Sequence, residues 1–403
     1  MDAEEASLDD ARTIGRRLRR IRKARDKSLT VIAGLSGMSI ATLSRIENGL
    51  RALDRHSEIV ALAAALEIAP SELMKLPVPA PGNGGTDATI EAVRRALMGA
   101  SHGLPGGEVL PLEVLRARVN ATIDALCRCE RERDVGAALP GLIRDLHATL
   151  AAGRDVAELL FLTAWLHTQA TVPWLSITDA PVDLRSLALL LAQHAAGDCG
   201  TAVSAGLVGA ASARVGLAAG AFDLATAALD AVTVPTNTRE TMQLSGFLAL
   251  RRSVVAAADG RPSELSGSLE YAIDLAERTG EGNAYGLGFG PINVGLYRMA
   301  GLLEIGDHER AATIAESLNP QAHVNQSRRA AYWADYGRAL ARIPGRQQDA
   351  VMALRRAELI SPYRIQRGPV VREVLDELRS RVPRDSPAGR ELRAMAYRAG
   401  LPV

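Results

Sequence analysis

The chain has little aromatic character, few cysteines and almost no lysine. Aromatic residues make up 3% of its 403 positions, so the core must consist mostly of Ala, Leu and Val. Its three cysteines, Cys127, Cys129 and Cys199, argue against a disulfide framework, and Cys127-Arg-Cys129 has no second ligand pair for zinc. The sequence has neither a signal-peptide pattern nor an uncharged apolar run of about 20 residues. We therefore expect a soluble, cytoplasmic protein without a metal or cofactor.

The net charge of +1 hides an uneven distribution. Residues 1–10 carry five acids and no base, whereas residues 11–76 carry 13 Lys and Arg against six Asp and Glu. Eight of these bases lie between Arg12 and Arg25. A cluster of this kind is typical of a phosphate-binding surface, and a solvated helix face is the alternative interpretation.

Composition divides the chain into four segments. Prolines alternate with other residues over 77–81, and Gly-Asn-Gly-Gly follows at 82–85, which disfavours helix and predicts a linker. We predict an acidic tail over 1–10, a helical domain over 11–76, the linker over 77–86 and a larger helical domain over 87–403. Alternating strand patterns are lacking, so the predicted fold class is all-α.

A loose repeat runs through the second half of the chain. Turn glycines at positions 220, 260, 306 and 345 are 40, 46 and 39 residues apart, and each lies between two helical patterns. Such a period is typical of stacked helical hairpins. Over roughly residues 110–380 the pattern resembles tetratricopeptide repeats, with looser spacing than that family. An irregular helical bundle is the alternative.

Residues 12–76 contain five short helical patterns. The first has an apolar stripe of Ile14, Leu18 and Ile21, with arginines on its other faces. Ser28 and Ser39 are suited to cap the second and third helices, and Gly37-Met38 forms a tight turn between them. The inward-facing residues predicted for these two helices are Ile32, Ala33, Leu35, Leu43 and Ile46.

This segment resembles the five-helix Cro/cI-type (XRE) helix-turn-helix domain. The matching motifs are Ile14-Gly15, Leu18-Arg19, Ile21-Arg22-Lys23, Ala33, Gly37-Met38-Ser39 and Leu43-Ser44-Arg45-Ile46-Glu47-Asn48-Gly49. The resemblance implies that residues 39–47 form a recognition helix in the DNA major groove. The candidate base-reading residues are Ile40, Ala41, Thr42, Ser44 and Arg45. Arg45 is the strongest candidate because a guanidinium can donate two hydrogen bonds to guanine; a plain phosphate contact is the alternative.

The same resemblance implies contacts to the DNA backbone and one structural pair. The backbone candidates are Arg16, Arg19, Arg20, Lys23, Ser28, Leu29, Ser39, Asn48, Arg51 and Arg55. The pair joins Arg22 of the first helix to Glu47 at the end of the third. Backbone contacts of this kind determine register and salt dependence rather than sequence choice.

A set of large polar and aromatic residues marks a candidate ligand groove in the repeat region. Its members are Trp165, Gln169, Asn283, Tyr285, Asn293, Tyr297, Asn325, Arg328, Tyr332 and Tyr336. Most lie on the first helix of a predicted hairpin, where solenoids form their concave face. Capping and packing between repeats is the alternative role. We found no catalytic motif, so we predict that the protein is not an enzyme.

The order of the two domains resembles RRNPP regulators and related actinobacterial regulators. This resemblance implies a homodimeric transcriptional regulator that binds a palindromic operator in double-stranded DNA. It also implies that the repeats bind a signalling peptide or another small molecule. The alternative is a repeat scaffold that docks proteins and is tethered to DNA without a small ligand. Neither interpretation predicts contact with a membrane.

Overall fold

The computed structural model describes residues 12–76, 86–130 and 132–401. Within these ranges the secondary structure is helical without strands, apart from an isolated bridge between Gly282 and Phe289. The predicted all-α fold class is therefore confirmed. The predicted acidic tail lies outside the described residues, as does the predicted linker except for residue 86.

Five helices form the N-terminal domain. They are α1 (Ile14–Ala24), α2 (Leu29–Ser36), α3 (Ile40–Glu47), α4 (His56–Ala65) and α5 (Pro70–Met74). Ile14, Leu18 and Ile32 are fully buried in their shared core. The prediction for Leu35 is wrong, because 64% of it is exposed. On α2, Leu35 lies roughly 110° from the centre of the buried Ile32–Ala33 face, at about 100° per residue.

The remaining helices run nearly without interruption to the end of the described chain. They are α6 (Thr86–Ser101), α7 (Leu112–Cys127), α8 (Glu132–Ala151), α9 (Val156–Leu166), α10 (Val172–Ile177), α11 (Val182–Cys199), α12 (Ala202–Ala219), α13 (Phe222–Asp230), α14 (Arg239–Ala258), α15 (Ser263–Thr279), α16 (Pro291–Ile305), α17 (His308–Ser317), α18 (Gln326–Arg342), α19 (Gln347–Ile360), α20 (Pro362–Gln366), α21 (Pro369–Arg379) and α22 (Pro387–Arg398). A π-helical turn, His167–Thr171, joins α9 to α10.

Helices α12–α19 form four consecutive pairs. Each pair is joined through a glycine with φ between +72° and +83°, a conformation that favours glycine; these are Gly220, Gly260, Gly306 and Gly345. The first helices of the pairs, α12, α14, α16 and α18, pack side by side in this order, and each packs against the helix that follows it. We call these four helices the inner layer, because α9 packs against α12 and α7 packs against α18.

One described helix, α12, is long and apolar enough to cross a membrane by length and composition, and half of its apolar window is buried inside the structure. The two short helices α2 and α3 pass the same test only when taken together as a bent pair. Helix α12 packs against α9, α11, α13 and α14, so its apolar surface contacts other helices.

Candidate nucleic-acid interface

Helices α2 and α3 form a sharply bent pair. Their axes meet at 112°, within the range of about 90–120° for DNA-binding helix-turn-helix units. The turn contains Gly37 at φ +70°, and the side chains of Ser28 and Ser39 accept hydrogen bonds from Val31 N and Thr42 N. These capping bonds define where both helices begin, and they leave the start of α3 at the surface.

The predicted recognition helix divides into a buried and an exposed face. Leu43 and Ile46 are fully buried, while 47% of Ile40 is exposed. Ala41 and Arg45 are exposed and Thr42 and Ser44 are partly buried, so the five candidate base-reading residues share the outer side of α3. The arrangement presents an apolar group, two hydroxyls and a guanidinium on one surface. These are the groups that contact thymine methyls, phosphates and guanine in a major groove.

A buried ion pair connects α1 to the end of α3. Arg22 donates from Nε and Nη2 to the two carboxylate oxygens of Glu47, at 2.6 and 2.7 Å. Its Nη1 donates to the backbone oxygen of Lys27 at 2.9 Å. The hydrogen bonds to Glu47 raise the pKa of Arg22. The structure thus brings together the two residues that the family resemblance pairs.

The candidate backbone-contacting residues fall into two groups. Exposed members surround the start of α2 and both ends of α3: Arg19, Lys23, Ser28, Ser39 and Asn48, with Arg20 and Leu29 partly buried beside them. Arg19 donates to Asn48 Oδ1 at 3.2 Å, so part of this surface is already ordered. The second group, Arg16, Arg51 and Arg55, turns toward the larger domain: Arg16 lies 3.8 Å from Asp376, and both other arginines pair with Glu58.

The segment that follows α3 is docked onto α21. Glu373 accepts from Gly15 N at 3.1 Å and from Leu53 N at 3.4 Å, and Glu377 accepts from Ala52 N at 2.9 Å. Both carboxylates are almost completely buried. Burial raises the pKa of Glu373 to about 7. Backbone amides of the N-terminal domain therefore bind buried acids of the larger domain.

Helices α16 and α18 complete this contact, which we call the junction. Arg342 of α18 donates to Asp54 Oδ1 at 3.0 Å and pairs with Glu377 at 3.1 Å. Glu304 of α16 accepts from His56 N at 2.9 Å and lies 3.0 Å from His56 Nδ1. Burial lowers the pKa of His56, but the charge and the hydrogen bond of Glu304, together with the charge of Asp54, outweigh it and the net shift is upward. The junction is a paired network of opposite charges.

A cleft opens where the junction meets the recognition helix. It has a volume of about 350 Å³ and is lined by Arg45, Arg51, Asp54, Arg55, Ile305, Gly306, His308, Arg342 and Arg381. Five of these side chains are guanidinium groups and one is a carboxylate. The end of α3 that carries Arg45 therefore borders a cationic concave surface.

The candidate groove residues do not form one site. Asn293, Tyr297 and Arg328 lie on the inner layer, where Arg328 stands 5.7 Å from the Tyr297 ring centroid. Contrary to prediction, Tyr332 and Tyr336 turn away: their hydroxyls donate to Ala315 O at 2.8 Å and to Glu316 at 2.9 Å. Both acceptors belong to α17, because the tyrosines occupy the face of α18 that packs on that helix.

The other candidates surround the loop before α16. Trp165 donates to Tyr285 O at 3.0 Å, and Asn325 caps α18 through Arg328 N and donates to Gly286 O at 3.4 Å. Asn283 is exposed in that loop, and Gln169 is partly buried in the π-helical turn. The capping and packing role that we weighed as an alternative therefore describes Trp165 and Asn325.

Sequence reasoning missed two sets of residues. The first is the acidic face of α21, formed by Glu373, Asp376 and Glu377, whose spacing of three and four residues places them together on one side of a helix. The second contains Arg214, Arg251 and Arg364 near Arg328. Phe247 and Arg251 are four residues apart in the sequence, and so are Asn293 and Tyr297. This helical spacing was the signal that could have revealed the set.

Comparison with known proteins identifies the N-terminal domain. Residues 13–76 match the family described as a helix-turn-helix domain. The uncharacterized HTH-type transcriptional regulator RghRB of Bacillus subtilis (strain 168) is 42% identical over 60 residues, which are 15% of this chain and 43% of that protein. No solved structure matches the chain. The chain therefore contains an N-terminal helix-turn-helix domain similar to that of a transcriptional regulator.

Proposed function

We propose that the protein is a DNA-binding transcriptional regulator of the Cro/cI type that inserts α3 into the major groove. The observation that carries this proposal is the angle of 112° between α2 and α3, combined with the exposed surface of Ile40, Ala41 and Arg45. In this arrangement α3 reads bases while α1 and the caps hold the phosphates.

The finer parts of the proposal concern the larger domain. Four stacked helix pairs support a tetratricopeptide-like solenoid that forms a homodimer in the cytoplasm and binds a peptide or small molecule. A dimer presents two recognition helices, so the operator is palindromic, with half-site centres about 34–36 Å apart or a multiple of this. Because the junction connects each helix-turn-helix domain to α16, α18 and α21, a change in the repeats alters the separation of the two recognition helices.

Recovery of genomic DNA fragments bound by the full chain tests the proposal. We expect enrichment of a two-fold symmetric sequence, and affinity for it is then measured by fluorescence anisotropy. Arg45→Ala should lose about 1–3 kcal/mol and relax preference at one base pair. Lys23→Ala should weaken binding to all sequences alike and reduce the salt slope by about 1.

Arg278→Ala provides the matched control, since Arg278 lies on α15, half exposed and remote from α3, and should leave DNA affinity unchanged. Absence of any enriched sequence, together with equal affinities for all variants, would contradict DNA reading by α3. If a stoichiometric protein partner is recovered instead and no small ligand is found, the repeats act as a docking scaffold.

A further inference from the structure

Four arginines converge on the inner layer; Arg214, Arg251, Arg328 and Arg364 are called the inner arginine cluster. Arg251 of α14 and Arg328 of α18 lie 5.1 and 5.3 Å from the ring centroid of Phe247. The same two guanidinium groups lie 5.5 and 5.7 Å from the ring of Tyr297. The four side chains are partly exposed, so water reaches them.

The inner arginine cluster has little counter-charge; Glu132 acts on Arg364 through its charge without forming an ion pair with it. Within the described part of the chain, no Asp or Glu forms an ion pair with any of the four guanidinium groups, although most other arginines there have such partners. Burial lowers the pKa of Arg214, and the charges of Arg251 and Arg328 lower it further. Arginine stays protonated at neutral pH, so burial and repulsion between the neighbouring cations both destabilise its charged form.

Neutral hydrogen-bonding groups beside these cations are also without partners. Asn293 is fully buried, and neither its amide nitrogen nor its amide oxygen makes a hydrogen bond. The Tyr297 hydroxyl, one helical turn further along α16, lies next to the Arg328 guanidinium without a well-formed hydrogen bond, and the Nε atoms of Arg251 and Arg364 are unpaired. Buried polar groups in folded proteins are nearly always satisfied, so a group of them in one place indicates a ligand or ordered solvent.

We propose that the inner arginine cluster, with Asn293 and Tyr297, binds the phosphate group of a phosphorylated small molecule. The inference rests on the proposed ligand-binding role of the repeats and names the chemistry of that ligand. One carboxylate would neutralise a single guanidinium, whereas a phosphate monoester brings a charge of about −1.5 to −2 and three acceptor oxygens. Guanidinium groups also bind phosphate through two parallel hydrogen bonds.

The site is connected to the junction by two continuous helices. Helix α18 carries Arg328 near its start and Arg342 near its end, about 21 Å apart at 1.5 Å per residue. Helix α16 carries Asn293 and Tyr297 near its start and Glu304 near its end. A phosphate that draws the starts of α16 and α18 together therefore acts on the two helices that hold the helix-turn-helix domain.

Thermal unfolding of the full chain with phosphate probes tests the proposal without DNA. The probes are inorganic phosphate, pyrophosphate and phenyl phosphate, each compared with chloride at equal ionic strength. We expect at least one to raise the Tm by roughly 2–6 °C more than chloride does. Calorimetric titration of the best probe should then show binding weakened roughly tenfold or more by each of Arg251→Gln and Arg328→Gln.

Two further variants keep the test decisive. Asn293→Asp places a carboxylate beside the cations, so it should raise the Tm without a probe and abolish the response to phosphate. Arg298→Gln, at an exposed position on the same helix, should respond as the parent does.

The proposal is overturned if no phosphate probe exceeds chloride, or if Arg251→Gln with Arg328→Gln retains the full response. It is also overturned if this double variant loses affinity for duplex DNA in the absence of a probe, because the anion would then be the DNA backbone. Phosphate binding without DNA binding leaves this inference intact while the proposed DNA function fails.

Discussion

Helices α16 and α18 differ sharply between their two ends. At their C-terminal ends, Glu304 and Arg342 are buried against the helix-turn-helix domain, and each contacts a group that can carry the opposite charge. Toward their N-terminal ends, Asn293 is buried without a partner and Arg328 faces other arginines. The same two helices thus hold one network in which opposite charges are paired and another in which like charges lie together.

This difference separates structural charges from charges that are available for binding. A buried charge is tolerated when an opposite charge and hydrogen bonds replace its lost hydration, as they do at the junction. In the inner arginine cluster, no acid of the described residues forms an ion pair that supplies this compensation. Removing a residue should therefore have opposite consequences at the two ends, and the three predictions below test this contrast in order of expected effect.

The largest effect is expected when the junction loses the buried acid Glu377. Glu377 is fully buried, accepts from Ala52 N and pairs with Arg342 and Arg381. Glu377→Ala leaves these groups without their acceptor, so the free energy of unfolding should fall by about 3–5 kcal/mol, measured by urea titration. Glu264→Ala removes a half-exposed acid that pairs with Arg261 and should cost less than about 1 kcal/mol. Equal losses in the two variants would contradict a structural role for the junction.

A smaller, pH-dependent effect is expected from Glu373. Burial raises its pKa to about 7 in the folded chain, so between the pKa of the unfolded chain, about 4.3, and this value the folded state binds more protons. The free energy of unfolding should therefore fall as pH rises through this window and stay level above it. Glu373→Gln should remove this loss, up to about 4 kcal/mol, since the amide is never ionised.

Urea titrations at several pH values between 4.5 and 8 measure the difference between parent and variant. The difference should grow in favour of Glu373→Gln as pH rises. Glu277→Gln, which alters an exposed acid on α15, should follow the parent at every pH. Parallel curves for the parent and Glu373→Gln would mean that the carboxylate is ionised throughout the range.

The elements of the fold could be predicted from local sequence, whereas the junction could not. Capping by Ser28 and Ser39 and the turn glycines at 220, 260, 306 and 345 depend on neighbouring residues only, and the structure places them as predicted. Glu373 accepts a hydrogen bond from Gly15 N, although the two residues are 358 positions apart in the sequence. No local pattern specifies that contact. The unequal net charges of residues 11–76 and of the rest of the chain suggested two separate domains. Buried acids of the larger domain nevertheless bind the N-terminal domain.

The candidate site shows the same limit. Helical periodicity placed Asn293 and Tyr297 on one face of α16, but it also suggested Tyr332 and Tyr336, whose side of α18 is decided by packing against α17. The arginines of the inner cluster lie on helices far apart in sequence. In a chain whose basic residues are nearly all arginine, their convergence becomes visible only in three dimensions, where no described acid forms an ion pair with them.

The smallest predicted effect concerns the inner arginine cluster, and its sign should be opposite to that of Glu377→Ala at the junction. Arg251→Gln removes a cation that has no acidic partner among the described residues, so no buried charge is left uncompensated. Repulsion between neighbouring unit charges is on the order of 1–4 kcal/mol at an effective dielectric constant of 20, and loss of the ring contacts costs about 1 kcal/mol. Without phosphate, the free energy of unfolding should therefore rise by about 1 kcal/mol. A loss of 3 kcal/mol or more, as expected for breaking a buried ion pair, would place Arg251 with the structural charges of the junction.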